Sequence, residues 1–144
     1  MNPAAAAFRA YQLGSILPRS ALHPSLSEAR KPFLHGQYDL AVFQAFRQVE
    51  VAVRRVGKFK NSDLGVSLMR DAFHADRGPL RDLTPGIDRG ELEACAHLFA
   101  GAIGLFKNPV SHRIVDFNSP VVSAEMIMLA SLLLRIIDQR GARP

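Results

Sequence analysis

The sequence predicts an all-α protein, a bundle of four to five helices. No segment of five residues alternates apolar and polar side chains as a half-buried strand does. Residues 37–56 instead repeat apolar side chains at helical spacing, and glycines and prolines fall between such periodic stretches. With 144 residues, 48% of them hydrophobic, the chain is long enough to bury the core of one domain without disulfide bonds.

Residues 1–25 are predicted to form a basic arm outside that core. They include Arg9 and Arg19 but no Asp or Glu, and an alanine run predicts a short helix that ends near Gly14. Two prolines then interrupt the chain. Such a segment is typical of a flexible tail or of a segment that docks on a partner or a second subunit, and both alternatives remain open. The helical bundle is predicted to occupy residues 26–144.

Capping and breaking residues set the predicted helix boundaries in the bundle. Gly36 and Gly57 each follow a periodic stretch, where glycine commonly ends a helix. Asn108-Pro109 and Ser119-Pro120 both place a capping side chain before a proline, which is favoured at the first helical position. The predicted helices span residues 27–35, 37–56, 64–73, 88–106 and 120–138, with a short turn or helix starting at Pro109.

The helix predicted at residues 37–56 has two different faces. Seven apolar side chains share one face at 100° intervals, and we expect that face to be buried. On the opposite side Arg47, Glu50 and Arg54 are spaced i, i+3 and i+7, so they can exchange ion pairs. A solvated face with an ion-pair ladder and a patch that attracts phosphate are the two alternatives. The five cations at this end of the helix are Arg47, Arg54, Arg55, Lys58 and Lys60.

The last predicted helix is apolar on every side. Between Val121 and Ile137 its formal charges are Glu125 and Arg135 alone. A helix of this kind must be covered all round, either as the central helix of a monomer or by a second subunit. Its apolar run of nine residues is shorter than the ~20 that span a bilayer, so no membrane segment is expected.

Composition limits the kinds of functional site that the chain can carry. The single Cys95 excludes a disulfide framework and a multi-cysteine zinc site, and the five histidines show no ligand spacing, so neither a metal nor another cofactor is expected. The N-terminus lacks the basic and apolar regions of a signal peptide, which favours a cytoplasmic location. The net charge of +5 permits an acidic partner such as RNA without requiring one.

The residues from 105 to 113 concentrate groups that could act on phosphate. Lys107 is predicted to close one helix and Asn108 to cap the next, with His112 about one turn inside it and Arg113 directly after. A helix start beside a cation and an imidazole suits a phosphate group, and histidine can transfer a proton near neutral pH. By spacing alone, a structural role for His112 is the alternative.

Ordered motifs across most of the chain resemble the Ymh-type hypothetical protein family. The resemblance covers about residues 22–138 and leaves out only the N-terminal arm. It is carried by Phe33-Leu34-His35-Gly36-Gln37-Tyr38, Ala45-Phe46, Val49-Glu50, Val53-Arg54, Leu98-Phe99-Ala100-Gly101-Ala102, Asn108-Pro109 with His112, and Ala130-Ser131-Leu132-Leu133.

That family in turn resembles the HEPN superfamily of small helical bundles, many of which are metal-independent ribonucleases. The resemblance implies a homodimer in which an Arg-x4-6-His motif from each subunit meets at a shared cleft. A ribose 2′-hydroxyl would attack in line there and leave a cyclic phosphate end. The motif maps onto Lys107 to His112, and Glu50 with Arg54 and Arg55 resembles an acidic-basic motif on an earlier helix of some members.

Two functions follow from these residues. One is a HEPN-like endoribonuclease, a toxin or defence effector, with an antitoxin or another protein as a further partner. The alternative is a non-catalytic HEPN-like module that binds RNA or protein. It is favoured by Lys107, which stands where the pattern has Arg and lacks the bidentate fork of a guanidinium. The expected catalytic residues are Lys107, Asn108 and His112, and the expected RNA-binding residues are Arg47, Glu50, Arg54, Arg55 and Arg113.

Overall fold

The computed structural model describes residues 2–109 and 117–142, which form an all-helical bundle. No strand occurs in these two ranges, and the predicted fold class is confirmed. The helices are α1 (Pro3–Ile16), α2 (Ser27–Leu34), α3 (Tyr38–Gly57), α4 (Gly65–Ala72), α5 (Arg89–Ala102) and α6 (Pro120–Gly141), with 3₁₀ turns at Arg19–Ala21 and Pro24–Leu26 and a π-helix at Ile103–Lys107.

Two of the predicted side-chain caps begin helices in the structure. The Asp88 carboxylate accepts a hydrogen bond from the Glu91 N–H at the start of α5, and the Ser119 hydroxyl accepts one from the Val122 N–H at the start of α6. At the end of α3 the left-handed residue is Lys58, with φ 58°, rather than a glycine. Gly57 serves packing instead, because a Cβ there would lie 2.6 Å from the Phe59 ring.

Helices α3 and α6 pack along each other at the centre of the bundle. Helices α2 and α4 pack against α3, and α5 packs against α4. The predicted apolar face of α3 is buried, apart from Val56, which is half-buried. From α6, Ile127, Leu133 and Ile137 are fully buried on the side that faces the core. The α3 residues of the core are Tyr38, Ala41, Val42, Ala45, Phe46, Val49, Ala52 and Val53.

Helix α6 is exposed along one side, so the described residues do not cover it all round. Val121 and Leu132 are 52% and 53% exposed. By length and composition α6 could cross a membrane, since its apolar window has a mean hydropathy of 1.8. The apolar run of nine residues alone predicted that no segment is long enough to do so. However, 44% of that apolar window is buried inside the bundle, and one such helix does not indicate a membrane protein.

The expectation that residues 1–25 lie outside the core is wrong for the second half of that segment. Leu13, Leu17 and Leu22 belong to the main hydrophobic cluster. His23 is buried, and its Nδ1 accepts a hydrogen bond from the Ser25 N–H at 3.1 Å. Its Nε2 therefore carries the proton and donates to Asp138 Oδ2 at 2.6 Å, which joins the segment to α6.

Candidate functional site

A π-helix at Ile103–Lys107 continues α5 and carries Lys107 towards α3. Such turns hold one residue more than an α-turn and occur frequently at functional sites. Gly104 allows a close approach to α4, since a Cβ there would lie 3.2 Å from a side-chain methyl group of that helix. Phe106 stacks on Phe46 of α3, with ring centroids 5.2 Å apart. These contacts fix the end of the π-helix against α3.

Glu50 lies where α3, α4 and the π-helix meet, and it is 3% exposed. Its Oε1 accepts a hydrogen bond from Arg54 Nη1 at 2.8 Å, and its Oε2 lies 3.4 Å from Lys107 Nζ. The side chains of Arg54 and Lys107 are 17% and 16% exposed. One carboxylate and two cations thus form a single, mostly buried group with a net charge of +1. We call Glu50, Arg54 and Lys107 the Glu50 cluster.

Gly65 completes the surroundings of the Glu50 carboxylate. As the first residue of α4 it has φ +67°, a conformation that glycine adopts at little cost, and its N–H donates to Glu50 Oε2 at 2.9 Å. A Cβ at Gly65 would contact nothing within 4 Å, so backbone conformation rather than space favours glycine. Sequence reasoning did not identify Gly65 as a site residue, and a glycine before an apolar helix was the one available signal.

The pKa of Glu50 reflects two opposing effects. Burial of the carboxylate is the largest single influence and raises the pKa, because desolvation disfavours the charged form. The hydrogen bonds from Arg54 and the Gly65 N–H, together with the charge of Lys107, outweigh burial and hold the pKa below its ordinary value of 4.5. Glu50 is therefore ionised at neutral pH and binds its two cations by charge-assisted contacts.

The structure corrects the predicted ion-pair ladder on α3. Glu50 is buried rather than solvated, and Arg54 is its ion-pair partner on the same helix. Arg47 is exposed and lines a separate groove of about 500 Å³ between α2 and α3. Arg55 is also exposed and lines a cavity of about 570 Å³ at the end of α6, beside Arg140. Of the predicted RNA-binding residues that the structure describes, Glu50 and Arg54 lie together with Lys107, and Arg47 and Arg55 lie elsewhere.

Asn108 does not cap a new helix as predicted. Its backbone is helical, with φ −65° and ψ −43°, whereas a capping residue has extended dihedral angles. Its N–H donates to the Ile103 carbonyl and so continues the π-helical pattern. The half-buried Asn108 side chain directly follows Lys107 in the chain. His112 and Arg113 lie outside the described residues.

Groups suited to metal binding do not gather in the part of the chain that the structure describes. Within residues 2–109 and 117–142, no three His, Cys, Asp or Glu side chains lie close enough together to hold a metal ion. Cys95 is half-buried on α5, where burial raises the pKa of its thiol and Arg140 acts in the opposite direction. The thiol is thus protonated at neutral pH and poorly nucleophilic.

A comparison with protein families identifies the family of this chain. No curated protein and no solved structure matches the chain. The profile of a family described as a protein of unknown function (Hypoth_ymh) matches residues 20–137. The matched range contains α2 to α5 and most of α6, including every residue of the Glu50 cluster, and leaves out α1. The chain therefore belongs to the Hypoth_Ymh family.

Proposed function

We propose that the chain is a HEPN-like, metal-independent endoribonuclease and that the Glu50 cluster is part of its RNA-acting site. The observation that carries this proposal is the contact of Glu50 with both Arg54 and Lys107. The acidic-basic motif of α3 thereby adjoins the residue that takes the place of the motif arginine. Residues from two motifs that are distant in sequence thus contact each other, and this contact supports the proposal.

The cluster supplies positive charge in a fixed position. Two cations against one carboxylate attract a phosphodiester, and the part of each cation that is still exposed can contact it. Glu50 holds both cations before any substrate binds. They can therefore stabilise charge that develops on the phosphoryl oxygens without reorganising at the moment of reaction.

The proposed reaction needs a proton acceptor and a proton donor beside this charge. A ribose 2′-hydroxyl attacks the adjacent phosphorus, and its proton passes to the imidazole of His112. The bond from phosphorus to the 5′ oxygen breaks, and that oxygen takes a proton from an imidazolium at the shared cleft of a homodimer. The products are a 2′,3′-cyclic phosphate and a 5′-hydroxyl. Lys107 stabilises the phosphoryl charge, and Asn108 supports the site beside it.

A non-catalytic module that binds RNA or protein is the second candidate, and one observation favours it. Lys107 already contacts a buried carboxylate and presents little of its surface. A lysine in this position also lacks the planar guanidinium with which arginine binds a phosphate through two hydrogen bonds. For the enzyme candidate we propose a cytoplasmic toxin or defence effector with an antitoxin or another protein as partner.

Incubating RNA in EDTA with the wild-type chain or His112→Ala separates the two candidates. The enzyme proposal predicts 2′,3′-cyclic phosphate ends from the wild-type chain and little product from the variant. Equal cleavage by both proteins, or cleavage by neither, contradicts it. The binding module predicts instead that Arg54→Ala weakens salt-dependent RNA retention more than Arg70→Ala, which removes an exposed arginine of α4 outside the Glu50 cluster.

A further inference from the structure

One side of α6 forms a line of exposed residues that faces away from α3. We call Val121, Glu125, Met128, Leu132, Arg135 and Gln139 the α6 stripe. At 100° per residue these six positions fall within about 80° of one another, so they share one side of the helix. Scattered apolar residues are ordinary on a protein surface, but Val121, Met128 and Leu132 lie in one line and are 52%, 36% and 53% exposed.

The spacing of the α6 stripe is symmetric about Ala130. Its residues follow one another by steps of four, three, four, three and four, which is the spacing of a seam between two packed helices. In two antiparallel helices related by a twofold axis at Ala130, residues equally far before and after that position face each other. Met128 would then face the partner subunit's Leu132, and Glu125 would face the partner subunit's Arg135.

We propose that the α6 stripe is an interface between two copies of this chain, packed antiparallel about a twofold axis at Ala130. A twofold interface uses the same patch on both subunits, so that patch must be complementary to itself. Here the centre is apolar, and opposite charges stand at equal distances on either side of it. A partner of different sequence would not require this symmetry, which is why we assign the surface to a second copy.

The two charged residues on either side of the apolar centre remain available for such a contact. Glu125 and Arg135 are exposed. Arg135 Nη2 donates to the Ala21 carbonyl at 3.4 Å, and the other four N–H groups of its guanidinium can reach a carboxylate. One pair of crossing helices covers less than the about 800 Å² per partner of a standard interface, so we expect association in the micromolar range. The proposal is argued from α6 alone. It gives a contact surface to the homodimer of the proposed ribonuclease, and RNA cleavage by the wild-type chain tests that function separately.

Charge reversal on the two stripe residues tests the interface by sedimentation velocity. Glu125→Arg alone places Arg opposite Arg twice in each dimer, and Arg135→Glu alone places Glu opposite Glu twice. We expect each variant to dimerise at least about tenfold more weakly than the wild-type chain. An equimolar mixture of the two variants restores opposite charges at both contacts, so we expect a heterodimer of nearly wild-type affinity.

A control variant separates a specific contact on α6 from a general effect of charge. Glu91→Arg makes the same charge change on the exposed start of α5 and should leave dimerisation unchanged. Rescue by mixing cannot come from misfolded variants, since unfolded chains do not restore a specific contact. A wild-type chain that stays monomeric up to about 200 μM overturns the proposal. A dimer that Glu125→Arg leaves intact, or a mixture that stays monomeric, overturns it as well.

Discussion

Glu50 Oε2 and Lys107 Nζ lie 3.4 Å apart, although Glu50 is on the central helix α3 and Lys107 ends the π-helix after α5. Their contact joins two parts of the chain that carry different halves of the proposed site. The carboxylate also binds Arg54 and the Gly65 N–H, so its removal would leave two partly buried cations without their common partner. The first two predictions follow from this arrangement.

Replacing the carboxylate should destabilise the fold. We expect Glu50→Gln to lower the free energy of unfolding by about 2–3 kcal/mol, because Arg54 and Lys107 then lose the buried carboxylate that both of them contact. Urea denaturation measures this change. Glu93→Gln is the matched control, since its pair with Arg89 is more than half exposed and should contribute little. Equal losses for the two variants would mean that the cluster adds no specific stability.

The same carboxylate should make stability depend on pH. The pKa of Glu50 is lower in the folded chain than its ordinary value of 4.5, so the unfolded state binds its proton first as the pH falls. The stabilisation from Glu50 is thus complete above pH 4.5 and is lost as the pH drops through the lowered folded pKa. The unfolding free energies of the wild-type chain and Glu50→Gln should converge over that window. A constant difference between them down to pH 2 would contradict this cause.

The segment before α2 should contribute to global stability. Leu17 is fully buried and Ile16 is 38% exposed, so the two neighbours form a matched pair. We expect Leu17→Ala to cost about 3 kcal/mol of unfolding free energy and Ile16→Ala less than about 1 kcal/mol. Guanidinium denaturation followed by circular dichroism measures both values. Similar small losses would show that the segment behaves as a tail.

The cysteine on α5 provides a test of burial by chemistry. Because burial raises the pKa of the Cys95 thiol, little reactive thiolate forms near neutral pH. We expect iodoacetamide at pH 8 to alkylate Cys95 several-fold more slowly in the folded chain than in urea, as followed by mass spectrometry. Equal alkylation rates with and without urea would mean that the Cys95 thiol is exposed to water in the folded chain.

Periodicity was sufficient to predict the helices because the core faces of α3 and α6 carry long apolar patterns. It did not predict the burial of Glu50. At 100° per residue Glu50 lies only about 40° beyond Phe46, at the edge of the apolar face of α3. Such a position is buried or solvated according to what packs beside it, and here α4 and the π-helix cover it. That coverage is a tertiary effect that no local pattern encodes.

The π-helix and the N-terminal segment were missed for related reasons. Residues 103–107 read as the end of a regular helix, because one extra residue in a turn leaves no mark on composition. The alanine-rich start of the chain predicted an arm outside the core, since its three core leucines are too few to form a strong pattern. In both places packing against other helices decided the outcome.

The most direct test of the central claim is the rate at which Lys107 variants cleave RNA in EDTA. If the cation held by Glu50 acts on the phosphodiester, Lys107→Ala should cleave at least about tenfold more slowly than the wild-type chain. Lys107→Arg should equal or exceed the wild-type rate, because the guanidinium keeps the charge and adds the fork. Lys31→Ala, which removes an exposed lysine on α2, should cleave at the wild-type rate. Cleavage by Lys107→Ala at the wild-type rate would contradict the account.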